Sequence, residues 1–224
     1  MSDATNTAPK TRRYAGTDVV VMERVGRCIH SRNCVLGRPD VFVPNAPGDW
    51  ILPDAAGPET VIALTRNCPS GALSAETPDG RSLDTLPAVN TVRVRENGPL
   101  EFSAELTLAG QKPASVGLRT TLCRCGASNN KPYCDGGHVA AAFIATGEPA
   151  TRQSEPLSRR DGPLKVLPAP DGPLVIEGNI EIIAGTGRTV LRTQQIALCP
   201  LRRLGQQTVR DGSHVRVGLR FEVG

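Results

Sequence analysis

Apolar and polar residues alternate along this chain in short runs, separated by stretches rich in glycine and proline. Alternation with a period of two marks a half-buried strand. Thr17–Arg24 predicts one such strand, ending just before Cys28. Asn90–Arg95 and Leu100–Leu108 predict two more, and Gly117–Leu122 a further one that feeds directly into Cys123. Leu174–Ile183 and Thr189–Ala197 predict a last pair. Pro58–Asn67 reads as a short helix with proline in its first turn, a position where the missing N–H costs nothing, and it delivers Cys68-Pro69. The fold class is therefore α+β, with a small α+β unit followed by β-rich modules.

The elements group into segments. Residues 1–13 are polar and read as a disordered tail, 14–87 form the first domain and 88–147 the second. Residues 148–161 are polar and read as a linker, and 162–224 form the third segment. The second and third segments are similar to each other. Gly98-Pro99-Leu100 is matched by Gly172-Pro173-Leu174, each opening a strand pair. Cys123–His138 lines up with Cys199–His214, with the first Cys and the His equally far apart in both. A duplicated module follows from this.

Composition sharpens the picture. The chain holds 23 glycines and 19 prolines against only 3% aromatic residues, so small stapled modules fit better than one deep core. A net charge of +4 with no Lys/Arg run interleaved with aromatics gives no support to nucleic-acid binding. No apolar run approaches the roughly 18 residues that span a bilayer. Met1–Arg13 lacks the apolar stretch of a signal peptide, so a cytoplasmic, membrane-free protein is expected. In a reducing compartment, seven cysteines are better read as metal ligands than as disulfides.

Cys123, Cys125, Cys134 and His138 supply three thiolates and an imidazole within a short stretch. Soft thiolates suit iron–sulfur clusters and zinc, and imidazole suits both. The Cys-x-Cys spacing lets two adjacent thiolates hold one iron while Cys134 and His138 reach another, as in a 2Fe–2S cluster. Structural zinc pairs are usually spaced more widely. Asp135, Ser128 and Lys131 are candidates to support these ligands. In the second copy, Leu201 and Arg210 replace the two inner ligands, so that copy reads as structural. Cys28, Cys34 and Cys68-Pro69 form a second thiolate set, and loop cysteines paired with a remote Cys-Pro also occur in bacterial ferredoxins. Three cysteines leave one position open, which implies a 3Fe–4S cluster, or a 4Fe–4S cluster with Ser31 or His30 as a non-cysteine ligand.

These residues carry two resemblances. Cys123, Cys125, Ser128, Pro132, Cys134, Asp135, Gly136 and His138 fall on the pattern of the CDGSH iron–sulfur family, with Gly137 where Ser, Ala or Thr is usual. The family works as an intertwined dimer of β-rich units, which implies that a tandem chain folds as an internal pseudo-dimer and remains a monomer. Residues 14–75, with C-I-H-x-x-x-C-V from Cys28 and C-P-S-G-A-L from Cys68, resemble divergent single-cluster ferredoxin domains. No nucleophile–base pair or dinucleotide fingerprint is visible, so the chain is not expected to be an enzyme. The expected role is electron transfer with a redox partner protein, a reductase or oxidoreductase. The alternatives are transfer or sensing through a labile cluster, and a zinc-binding interaction module.

Overall fold

The structure is a computed structural model that describes residues 11–111, 116–168 and 173–198. Helices and strands are both present, and the chain divides between Asp84 and Thr85 into two units. Among the described residues no helix is long and apolar enough to cross a membrane.

In the first unit, β1 (Thr11–Ala15), β2 (Val20–Arg24) and β3 (Leu73–Glu76) form an antiparallel sheet in that order. Thr11–Arg13 were expected in a disordered tail. They are strand instead, with Thr11 opposite Arg24 and Arg13 opposite Met22. This edge strand exposes its charged side chains, which hides it from an alternation test and also discourages edge-to-edge pairing. Residues 1–10 of the expected tail lie outside the described residues. Between β2 and β3 come α1 (Asn33–Gly37) and α2 (Pro58–Arg66). Pro58 starts α2, and Pro69 follows its end and disfavours helical backbone at the preceding residue. Val61 of α2 shares one core with Val21, Ala75, Phe42 and Ile51, all of them fully or almost fully buried. Each large side chain so buried contributes roughly 1.5–3 kcal/mol.

The second unit contains β4 (Thr91–Val94), β5 (Leu100–Ser103), β6 (Glu105–Leu108), β7 (Arg119–Leu122), α3 (Gly137–Ala140), β8 (Pro163–Pro168), β9 (Leu174–Ile183) and β10 (Thr189–Leu198). The predicted strand Leu100–Leu108 is two strands, because the chain changes partners at the buried Ala104. β5 pairs with β4 and β7, whereas β6 pairs with β8. All the strands belong to one sheet of order β6-β8-β9-β4-β5-β7, with β10 also on β9.

Two registers recur in the two halves of this sheet. Leu100 lies opposite both Val94 and Leu122, and Leu174 lies opposite both Pro168 and Leu198. Across the halves, β4 runs parallel to β9 with Thr91 opposite Glu181, and β8 runs parallel to β6 with Lys165 opposite Thr107. Cys199 and His214, which complete the sequence repeat, lie outside the described residues.

Residues 148–161 do not behave as a free linker. Arg152 N–H donates to Val190 O at 2.8 Å, and Arg192 N–H to Ser154 Oγ at 3.0 Å. Glu148 accepts from Thr186, and Arg160 pairs with the buried Glu181 at 2.7 Å. These bonds pin the polar segment along β9 and β10.

Gly178 sits at φ +120° where β9 passes from β8 to β4, and an added Cβ would lie 2.7 Å from Pro163 O. Strained left-handed backbone costs about 1–3 kcal/mol for a residue with a side chain. Gly178→Ala should lower the urea midpoint of the second unit by a corresponding amount, while leaving the m-value unchanged.

Candidate metal centres

In the second unit the candidate ligands stand on two facing segments. β7 ends at Leu122, which bridges to Tyr133. Cys123 N–H donates to Pro132 O at 2.8 Å and Cys134 N–H to Thr121 O at 2.9 Å, so Cys123 and Cys134 flank that bridge. Gly126 and Gly136 take positive φ, 74° and 86°, and turn the chain next to Cys125 and Cys134. Ser128 Oγ donates to Tyr133 O at 2.6 Å and accepts from Asn130 N–H at 3.1 Å. Asp135 accepts from the N–H groups of Asn129 and Gly137 at 2.8 and 2.9 Å. Both residues therefore lock the loop, while Lys131 is exposed. At Gly137 a Cβ would come within 3.1 Å of Ala127 O, so the bare glycine lets the loop close tightly.

The four candidate donors form two close pairs. Cys123 Sγ and Cys125 Sγ are 3.8 Å apart, and Cys134 Sγ is 3.4 Å from His138 Nδ1. A tetrahedral metal bound at about 2.3 Å to each of two sulfurs separates them by about 3.8 Å. Among the described residues, no three His, Cys, Asp or Glu side chains converge on one metal ion. A donor set split into pairs matches two metal atoms better than one. Ala127 N–H and Gly136 N–H point at the sulfurs of Cys125 and Cys134, each at 3.4 Å. Burial pushes the Cys134 thiol up to about 11 and raises Cys125 as well, so a metal arriving here would displace protons. Burial lowers the His138 pKa, against the opposing pull of Asp135, which keeps the ring neutral and able to ligate.

Arg124, between the two cysteines, was not singled out by the sequence reading. It is 1% exposed, donates from Nη2 to Thr146 O at 3.1 Å and lies 5.3 Å from the centroid of the Phe143 ring. Burial draws its pKa down to about 10, and the Cys125 sulfur pulls the other way. It therefore stays cationic at neutral pH beside the cysteines, and it ties the chain that follows His138 to the Cys123–Cys125 strand end. The signal in the sequence was its alternation with two candidate ligands, which turns its side chain away from theirs.

In the first unit, Cys28 follows the short turn after β2, Cys34 lies in α1 and Cys68 follows α2. Burial raises the thiols of Cys28 and Cys34 above the ordinary cysteine value. Two residues in the connecting loop, His30 and Arg32, hold positive φ of 55° and 63°. The exposed His30 places Nδ1 3.9 Å from Cys28 Sγ. Ser31 is half-buried in the same loop. Ser70, a further residue the sequence reading passed over, has its hydroxyl 3.6 Å from Cys68 Sγ.

Comparison with protein families gives two matches. Residues 14–77 match the divergent 4Fe-4S mono-cluster family, and residues 90–139 match the iron-binding zinc finger CDGSH type. Comparison with curated proteins and with solved structures found no match. Each family match covers one set of candidate ligands, and the chain therefore joins a divergent 4Fe-4S mono-cluster domain to a CDGSH-type iron-binding domain.

Proposed function

We propose that this protein is an iron–sulfur electron carrier. In this reading, Cys123, Cys125, Cys134 and His138 hold a 2Fe–2S cluster, and Cys28, Cys34 and Cys68 hold a second cluster, 3Fe–4S or 4Fe–4S. The observation that carries it is the division of the four donors of the second unit into pairs at 3.8 and 3.4 Å. Bound there, the cluster would supply a one-electron redox couple. The surrounding residues set its properties. The N–H groups of Ala127 and Gly136 stabilise added negative charge and so favour the reduced state. Arg124 adds a buried positive charge on the far side of the same strand end, and Asp135 and Ser128 hold the loop in register.

The reading extends to the sheet. The two halves of the second unit act as an internal pseudo-dimer, each lending its first strand to the other. The matched pairings Thr91–Glu181 and Lys165–Thr107 support this, as do Leu122 and Leu198, which occupy equivalent registers immediately before Cys123 and Cys199. With Leu201 and Arg210 at two ligand positions, the second copy supports the sheet and holds no cluster of its own.

The test is iron and acid-labile sulfide per chain after anaerobic purification, with EPR of the oxidised and reduced forms. Roughly five to six irons are expected, two of them 2Fe–2S in type. An oxidised-state signal would assign 3Fe–4S to the first unit, and reduced-state signals alone would assign 4Fe–4S. Zinc in place of iron, with failed iron reconstitution, would refute the reading.

A further inference from the structure

We propose that Ser70 is a positioning residue for the first cluster, its hydroxyl donating a hydrogen bond to the sulfur of Cys68 and holding up that cluster's reduction potential. The proposal rests on the reading that Cys28, Cys34 and Cys68 hold a cluster.

Ser70 is 2% exposed, so its hydroxyl proton needs an acceptor inside the protein. The oxygen accepts the N–H of Ala72 at 3.3 Å. A hydroxyl has one proton to give, and Cys68 Sγ lies 3.6 Å away. A metal-bound cysteine is a thiolate with no proton of its own, so between these two atoms only Ser70 can donate.

The placement repeats a feature of the other site by different means. Cys125 and Cys134 each receive an N–H from the residue two positions on, Ala127 and Gly136. At Cys68 it is the hydroxyl of the residue two positions on, Ser70, that lies against the sulfur. The turn that holds Ser70 is fixed to β2. Gly71 N–H donates to Cys68 O at 3.3 Å, and Arg24 donates from N to Ala72 O at 2.7 Å and from Nη1 to Gly71 O at 3.1 Å. A donor held rigidly against a ligand sulfur stabilises the more negative, reduced state over the oxidised one.

The experiment compares the full-length chain with Ser70→Ala and Ser70→Thr, purified without air and titrated with dithionite under EPR. Ser70→Ala should keep its iron and sulfide while the midpoint of the first cluster falls by an amount equivalent to about a tenfold change in the reduction equilibrium, near 59 mV for one electron. Ser70→Thr, which keeps the hydroxyl, should stay near the original value. Loss of the first cluster in Ser70→Ala with retention in Ser70→Thr would also support the hydroxyl's role, and loss in both would overturn it. An unchanged midpoint in fully loaded Ser70→Ala overturns the role of Ser70 alone. A wild-type chain holding only the two irons of the second unit overturns the cluster reading of the first unit, and this proposal with it.

Discussion

A chain ending at Asp161 should lose both the cooperative fold of its second unit and the iron held there, while the first unit survives. Such a chain lacks β8, β9 and β10, and so leaves β4 without its parallel partner and β6 without β8. It also removes Val166, Ile176, Ile180, Ile182, Ile196 and Leu198, all fully buried in the core that the two halves share. At roughly 1.5–3 kcal/mol each, their loss is comparable with the about 5–15 kcal/mol that keeps a whole domain folded. Amide dispersion by NMR and iron content per chain would measure the outcome. A truncated chain that kept the native amide pattern of residues 85–161 and two irons would show that this half stands alone, and would sink the pseudo-dimer.

His138→Cys should lower the midpoint potential of the second unit's cluster by on the order of 100–300 mV, because a thiolate adds the negative charge that a neutral imidazole lacks. The same change should flatten the pH dependence. With Nδ1 directed at Cys134, the outward nitrogen of His138 can take a proton when an electron arrives. The reduced state then holds one proton more than the oxidised state, and the midpoint falls as pH rises, by up to about 59 mV per unit for one electron. A cysteine in its place carries no such proton. The sign for stability follows from the same ring. Burial disfavours the protonated ring, and in acid protons compete with metal for its ligating nitrogen. Cluster loss should therefore speed up on the acid side in the wild type. Potentiometry across pH, with absorbance decay of the cluster in acid, measures both. Equal slopes in the two proteins would remove His138 from the ligand set.

The parts of this molecule legible in its sequence are those whose causes are local. β9 is rich in β-branched residues from Leu174 to Ile183 and appears with those bounds, and α2 follows from Pro58 and its arrest before Pro69. The candidate ligands from Cys123 to His138 were legible because three thiols and an imidazole crowd into one short stretch of sequence. What stayed hidden is set by partners distant in sequence. β1 reads as a charged tail because its strand character comes from β2. Residues 148–161 read as a linker because their anchors, Val190, Thr186 and Glu181, lie well downstream. The parallel pairing of β4 with β9 leaves no trace in either strand. Ser70 and Arg124 escaped because their role depends on where a side chain points once it is buried.

The two sets of cysteines also differ in how much of the chain they close. Those of the second unit lie at the end of one strand and in the loop that faces it, whereas Cys28, Cys34 and Cys68 are carried on separate elements around a common core. Joining distant points restricts the unfolded chain more than joining near ones. Oxidative destruction of the first cluster would then remove a clasp from its whole unit and expose that unit to proteolysis. Destruction of the second would leave a folded sheet ready to be refilled, so the two halves of one polypeptide would age at different rates after the same encounter with oxygen.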